Sequence, residues 1–119
     1  MNARQSDTEF VVRNHLQAFV EQQGVDAILR DYDDDARFLS EIRTYHGKRE
    51  IRGFFEAFLA SLPPKAIDQF SLRTLRVEGE IAYITWKVGS VVPLGTDTFV
   101  VRNGKIVSQT FAMHPAAAA

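Results

Sequence analysis

The chain contains no cysteine, which excludes disulfide staples and thiol chemistry and fits a reducing compartment. Charge of one sign is missing too. Fourteen Lys and Arg stand against fifteen Asp and Glu, for a formal net charge of −1, so no global field draws the chain to nucleic acid or to a membrane surface, and neither is expected as a partner. No run approaches the roughly 18 apolar residues of a membrane span, and the polar opening Met1–Glu9 lacks the apolar core of a secretory signal. A soluble, cytoplasmic protein is expected.

Motifs with a fixed chemistry are equally scarce. There is no glycine-rich phosphate loop, no GxSxG, no HExxH and no CxxC. Asp31, Asp33, Asp34 and Asp35 imitate a calcium loop, but Ala36 stands where the loop needs glycine and Ile42 where it needs a bidentate glutamate. The run reads as a solvated acidic loop. His15, His46 and His114 fall in three separate elements without a local pair, so neither a metal nor another cofactor is expected. Rings with polar handles are few: three Tyr and one Trp against nine Phe, a surplus that points to a large apolar interior.

What is present is 119 residues and 13.4 kDa, the size of one domain. Residues 1–119 read as a single unit, with 115–119 as a frayed tail. Ser6, Asp7, Thr8 and Glu9 form a capping-box pattern, followed by Val12, Leu16, Phe19 and Val20 at helical spacing until Gly24. Val25, Ile28, Leu29 and Tyr32 predict a short second helix ending near Asp33, and Arg37–Ser40 a strand. Ile51, Phe54, Phe55, Phe58, Leu59 and Leu62 make the cleanest helical stripe, stopped by Pro63 and Pro64. Then come strands over Phe70–Val77, Ile81–Val92, Thr96–Arg102 and Lys105–His114, separated by Glu78-Gly79, Pro93-Leu94-Gly95 and Asn103-Gly104. Three helices followed by an antiparallel meander define an α+β fold.

The last hairpin decides which residues share a face. A two-residue Asn103-Gly104 turn would set Asp97, Phe99 and Val101 beside Ile106, Ser108, Thr110 and Ala112. A three-residue loop with a glycine bulge would set them beside Val107, Gln109, Phe111 and Met113. The second collects more apolar residues on one face and is preferred. Asp97 would then sit among Phe99, Gln109, Phe111 and Met113, where desolvation raises its pKa toward a value useful for proton transfer. A strand-start aspartate bonded to the preceding turn is an equal alternative. Trp86, in the alternating set Ala82, Ile84, Trp86 and Val88, reads as core before ligand contact. Arg43, His46, Lys48, Arg49 and Arg52 cluster near the start of the third helix, which favours an anion, but Glu41, Glu50 and Glu56 make a solvated basic face the better reading.

The run Gly24, Ala27, Ile28, Tyr32, Asp34, Asp35 and Ala36, then Gly47, Ile51 and Phe54, then Asp97, Phe99, Gly104, Lys105 and Ile106 resembles the NTF2-like superfamily, and within it the SnoaL-like proteins and ketosteroid isomerases. The resemblance implies a cone-shaped, cystatin-like α+β barrel: three helices packed in a strongly bent antiparallel sheet, with an apolar pocket at one end and a homodimer formed through the sheet. Carried over residue by residue, the isomerase's proton-abstracting aspartate falls on Ser40, its oxyanion-hole tyrosine on Leu16 and a supporting tyrosine on Phe55. Only the protonated acid has a match, Asp97. Steroid-type isomerisation is therefore not expected. The cyclases of the family use an acid and a histidine, which implies Asp97 with His46 or His15.

The resemblance implies a pocket drawing on Leu16, Tyr32, Phe38 and Ser40, on Phe54, Phe55 and Phe58, and on Trp86, Phe99, Gln109, Phe111 and Met113. The preferred function is binding of a small apolar or aromatic ligand there. Cofactor-independent acid/base catalysis on Asp97 (isomerase, dehydratase or aldol-type cyclase) is the first alternative and a non-catalytic dimeric adaptor the second. A cavity of some hundreds of Å³ around Asp97 would favour the first two, and a filled cone the third.

Overall fold

A computed structural model describes residues 3–114; the tail expected at 115–119 lies outside them. The elements run α1 (Ala3–Val20), α2 (Val25–Leu29), β1 (Tyr32–Leu39), β2 (Thr44–His46), α3 (Gly47–Ser61), a single tight helical turn at Ala66–Gln69, β3 (Phe70–Glu78), β4 (Ile81–Val88), β5 (Val92–Arg102) and β6 (Lys105–His114). One six-stranded sheet runs in the order β2-β1-β6-β5-β4-β3. The meander β3 to β6 is antiparallel as expected, while β1 joins β6 in parallel. Register shifts in four of the pairings bend the strands and curl the sheet around the helices. Three helices in a strongly bent sheet are the α+β cone that the sequence implies. Among the described residues, no helix is long and apolar enough to cross a membrane.

α1 lies across β3, β4 and β5, and α3 across β1 and β2. α3 follows its stripe, burying Ile51, Phe55 and Phe58. α1 begins before the capping-box pattern, so Thr8 is not a cap: its hydroxyl lies 2.7 Å from the Gly79 carbonyl and 2.9 Å from that of Arg4. Nor does Gly24 end α1. Gln22 takes the left-handed position (φ 54), with Gln23 N–H on the Ala18 carbonyl and Gln22 N–H on that of Phe19, a Schellman closure.

Three further expectations are corrected. Tyr32 opens β1 instead of closing α2, and the acidic run Asp33–Asp35 stands on that strand as its outward edge, while Tyr32, Ala36 and Phe38 are buried. The turn after β4 is at residues 89–91, and Pro93-Leu94-Gly95 belongs to β5. Pro93 is tolerated there because β6 pairs with β5 only as far as Leu94↔His114 and β4 is irregular at that point. The last hairpin combines both registers: Asn103 and Gly104, with φ 52 and 74, form the two-residue turn, and Val107 is then bulged out between Val101↔Ile106 and Val100↔Ser108. Val107 thus leaves the inner face, but Asp97 faces Phe111 and Phe99 faces Gln109, as in the preferred register.

Candidate functional site

Alternation along β4 turns Ala82, Ile84, Trp86 and Val88 inward, and along β5 it does the same for Gly95, Asp97, Phe99 and Val101. Trp86 is paired with Gly95 across the two strands. A Cβ on Gly95 would lie 2.2 Å from the indole atoms Cε2 and Cζ2, so only glycine lets the ring lie flat on the β5 backbone. Held there, Trp86 Nε1 donates to Asp97 Oδ1 at 2.6 Å. From β6, Gln109 Nε2 donates to Asp97 Oδ2 at 2.6 Å, and Tyr32 donates its hydroxyl to Gln109 Oε1. All four side chains are buried, so a hydrogen-bonded chain Tyr32–Gln109–Asp97–Trp86 crosses the interior from β1 to β4.

Burial dominates the electrostatics. It pushes the Asp97 carboxyl up to about 7 against the opposing hydrogen bonds from Trp86 and Gln109. It raises the Tyr32 hydroxyl well above its ordinary value, helped by the charges of Asp97 and Asp31. His15 is also buried, with ring centroids 5.3, 5.6 and 6.0 Å from those of Tyr32, Phe99 and Phe55. Desolvation lowers its pKa to about 4, against the charge of Asp31 and a hydrogen bond to the Ile28 backbone. Its ring is neutral at neutral pH, and its Nδ1 is, among the described residues, the buried side-chain polar atom without a partner.

The cone has two compartments. An inner cavity of about 40 Å³ is bounded by His15, Leu16, Phe55, Trp86, Asp97, Phe99 and Gln109, with Phe19, Phe70 and Ile84. An open mouth of about 650 Å³ is lined by Phe54, Ala57, Tyr45 and Met113, with Ser40, Glu41, Ile42, Arg43, Glu50 and Gly53 at its rim. Phe58 and Phe111 border both, and their edge-to-face contact at 5.7 Å is the wall between them. The large volume thus lies in front of Asp97, while the space around Asp97 is filled with rings.

Of the residues singled out in the sequence for the site, nine meet around the inner cavity: His15, Leu16, Phe55, Phe58, Trp86, Asp97, Phe99, Gln109 and Phe111. Ser40, Phe54 and Met113 line the mouth, beside Phe58 and Phe111. Tyr32 and Phe38 line neither, Tyr32 acting through Gln109 and Phe38 lying fully buried against Phe54. His46 is exposed at the start of α3, and its backbone N–H, bonded to Glu50 Oε1, holds that carboxyl below its ordinary value. The Ser40 hydroxyl is engaged in its own turn, donating to the Arg43 carbonyl and accepting from the Ile42 and Arg43 amides. Neither Ser40 nor Glu41 reaches the inner cavity. The basic cluster is largely paired, Arg43 with Glu50, Lys48 with Asp34 and Arg52 with Asp26, contacts worth little at the surface. The histidine that the fold brings to the Asp97 cavity is His15.

A bent sheet thus closes on three helices over a ring-lined cone whose interior holds the buried carboxyl of Asp97. Residues 12–109 match the SnoaL-like domain, and the chain belongs to that family. Similar solved structures include an NTF2-like protein of Burkholderia xenovorans LB400 (TM-score 0.77, 22% identity, covering 99% of this chain and 91% of that one). A SnoaL-like protein of Burkholderia thailandensis E264 gives a TM-score of 0.73 at 16% identity, over 92% and 96% of the chains. TerC, co-crystallised with polyporic acid, gives 0.70 at 13% identity over 91% and 92%. At these identities the likeness is one of fold. No curated protein matches the chain.

Proposed function

We propose that the chain binds a small, largely apolar or aromatic molecule in the mouth of the cone. The observation that carries this reading is the open volume of about 650 Å³ floored by Phe54, Phe58, Phe111 and Met113, within the usual range for ligand pockets of about 300–1,000 Å³. TerC, of the same fold, was co-crystallised with polyporic acid. Thermal melts against a panel of aromatic and lipid-like compounds should yield hits. Ala57 faces the mouth from the exposed side of α3, so Ala57→Trp should block it and weaken any hit at least about tenfold, while changing the unliganded stability by less than about 0.5 kcal/mol. A panel without hits, or equal affinity in the variant, would sink the reading.

A second reading, acid/base catalysis without a cofactor, is favoured by a buried carboxyl whose pKa of about 7 suits both giving and taking a proton. Asp97→Asn should then abolish turnover of any substrate found. If the panel gives nothing, the ring-filled interior around Asp97 favours the adaptor reading.

The homodimer is proposed on the outer sheet face. Thr96, Thr98, Val100, Ser108, Thr110 and Ala112 lie on the side of β5 and β6 opposite Asp97 and Phe99, continued on β4 by Ile81, Tyr83 and Thr85. This uncharged patch suits a second copy packed by two-fold symmetry. Sedimentation should give twice the 13.4 kDa of one chain, and Thr98→Lys should give the single mass with an unchanged circular dichroism spectrum. A monomeric wild type refutes the dimer.

A further inference from the structure

The chain has three asparagines, Asn2, Asn14 and Asn103, and they differ in what surrounds the amide. Asn14 sits in α1, its side-chain nitrogen held by both carboxylate oxygens of Asp31 at 3.0 and 3.3 Å, with His15 following it. Asn2 is followed by Ala3, whose Cβ crowds the next backbone nitrogen. Asn103 is followed by Gly104 at the exposed tip of the β5–β6 hairpin, in the two-residue turn with φ 52 and 74. Among the described residues, neither the Asn103 side chain nor the Gly104 N–H has a hydrogen-bond partner. A Cβ on Gly104 would meet nothing within 4 Å, so solvent reaches the turn freely.

We propose that Asn103 is a self-modification site, its side-chain amide converted to a carboxyl by cyclisation onto the next residue, with hydroxide as the base and water as the co-reactant. The base removes the Gly104 amide proton. The Gly104 nitrogen then bonds to Asn103 Cγ, the Cγ–Nδ2 bond breaks, and the side-chain nitrogen leaves with a proton as ammonia. The product is a five-membered succinimide. Water opens it at one of two carbonyls. Attack at Cγ restores the ordinary chain with an aspartate at position 103. Attack at the main-chain carbonyl breaks that carbon's bond to the Gly104 nitrogen, and the chain then runs through the side chain as isoaspartate. Glycine makes the closure easy, because no Cβ shields its nitrogen and its backbone is free to turn toward Cγ. The reaction is independent of what the cone binds. Isoaspartate adds one main-chain atom to a turn without slack, since Arg102 and Lys105 pair directly on either side of it. Val101 and Ile106 behind them are buried and hold the strands, so the turn pairing is what gives way.

Incubation of the purified protein in H₂¹⁸O at pH 6 and pH 8, followed by peptide mass mapping, tests the site. Label should enter at residue 103, and faster at pH 8 because hydroxide generates the nucleophile. It should enter at least about tenfold faster than at Asn14, where α1 must first open. Isoaspartate, read with a protein isoaspartate methyltransferase, should form alongside aspartate. Asn103→Gly keeps a residue suited to positive φ in the turn and should stop the more acidic form from appearing. The isoaspartyl fraction, separated by anion exchange, should melt at least about 3 °C below the untreated protein, the shift that loss of one turn pairing gives a domain of this size. A free peptide of residues 100–107 sets the intrinsic rate. If the peptide reacts while residue 103 of the folded protein gains no label, the hairpin protects the asparagine and the site is overturned. Aspartate without isoaspartate would overturn the cyclic route, and an isoaspartyl fraction that melts with the untreated protein would overturn the loss of the turn.

Discussion

Replacing Asp97 by asparagine should turn a nearly pH-flat stability into one that climbs with pH, and replacing His15 by leucine should turn it into one that falls. His15 has a folded pKa of about 4 against an ordinary value of 6.5. Between these values the unfolded chain binds the extra proton, so His15 makes stability rise with pH, by about 3 kcal/mol in all. Asp97 has a folded pKa of about 7 against 3.8. There the folded chain holds the extra proton, and stability falls by about 4 kcal/mol as pH rises from about 4 to 7. The two slopes oppose each other over nearly the same window and largely cancel in the wild type. Urea midpoints at pH 4, 5, 6 and 7 separate them. Asp97→Asn should gain stability between pH 4 and 6.5 and His15→Leu should lose it between pH 4 and 7. Three parallel curves would refute the burial of both groups.

The smallest substitution with a large effect is Gly95→Ala. Its Cβ would fall 2.2 Å from two indole carbons and 2.6 Å from a third, far inside contact distance, so Trp86 must leave the β5 backbone. That movement breaks the bond to Asp97 and the stack on Phe70, whose ring centroid lies 5.8 Å away. Overpacking with a lost buried hydrogen bond should cost about 2–4 kcal/mol, a large share of a domain's net stability. Trp86 is the single tryptophan, so its fluorescence reports the displacement directly. With the Trp86 bond gone, the Asp97 pKa should rise further, because that bond is one of the two contacts holding it down. Adding Trp86→Phe should restore part of the loss, since the smaller ring leaves room for the methyl group. An unshifted emission spectrum with unchanged stability would contradict the packing described.

Gly95 also marks where sequence reasoning fails. Beside Pro93 it looks like turn chemistry, and nothing local tells that it is the flat seat of an indole nine residues earlier. The acidic run misled in the same way: three aspartates suggest a loop, yet they can ride on β1 because their side chains face water while Tyr32, Ala36 and Phe38 face the core. By contrast, α3 and β4 were legible because their apolar periods were unbroken over whole elements. The environment of Asp97 was legible too, because the apolar bookkeeping of one hairpin placed Phe99, Gln109 and Phe111 around it. The bulge at Val107 that achieves this leaves no local mark. His15 was the histidine to follow, and the signal was its spacing with Val11, Val12, Ala18 and Phe19 on the buried face of α1. His46 attracted attention through its neighbours' charges, of which Arg43, Lys48 and Arg52 are paired with carboxylates.

The parallel pairing of β1 with β6 has a kinetic consequence. β1 has only the three-residue β2 as a nearby partner, and its other edge is completed by a strand from the far end of the chain, with Tyr32 and Gln109 77 residues apart. Closing so large a loop loses chain entropy before any contact returns it. Until β6 docks, the phenylalanines of α3 have no Phe111 to meet and β5 keeps a bare edge open to other chains. The strand that walls off Asp97 is therefore also the one whose arrival ends the aggregation-prone stage of folding.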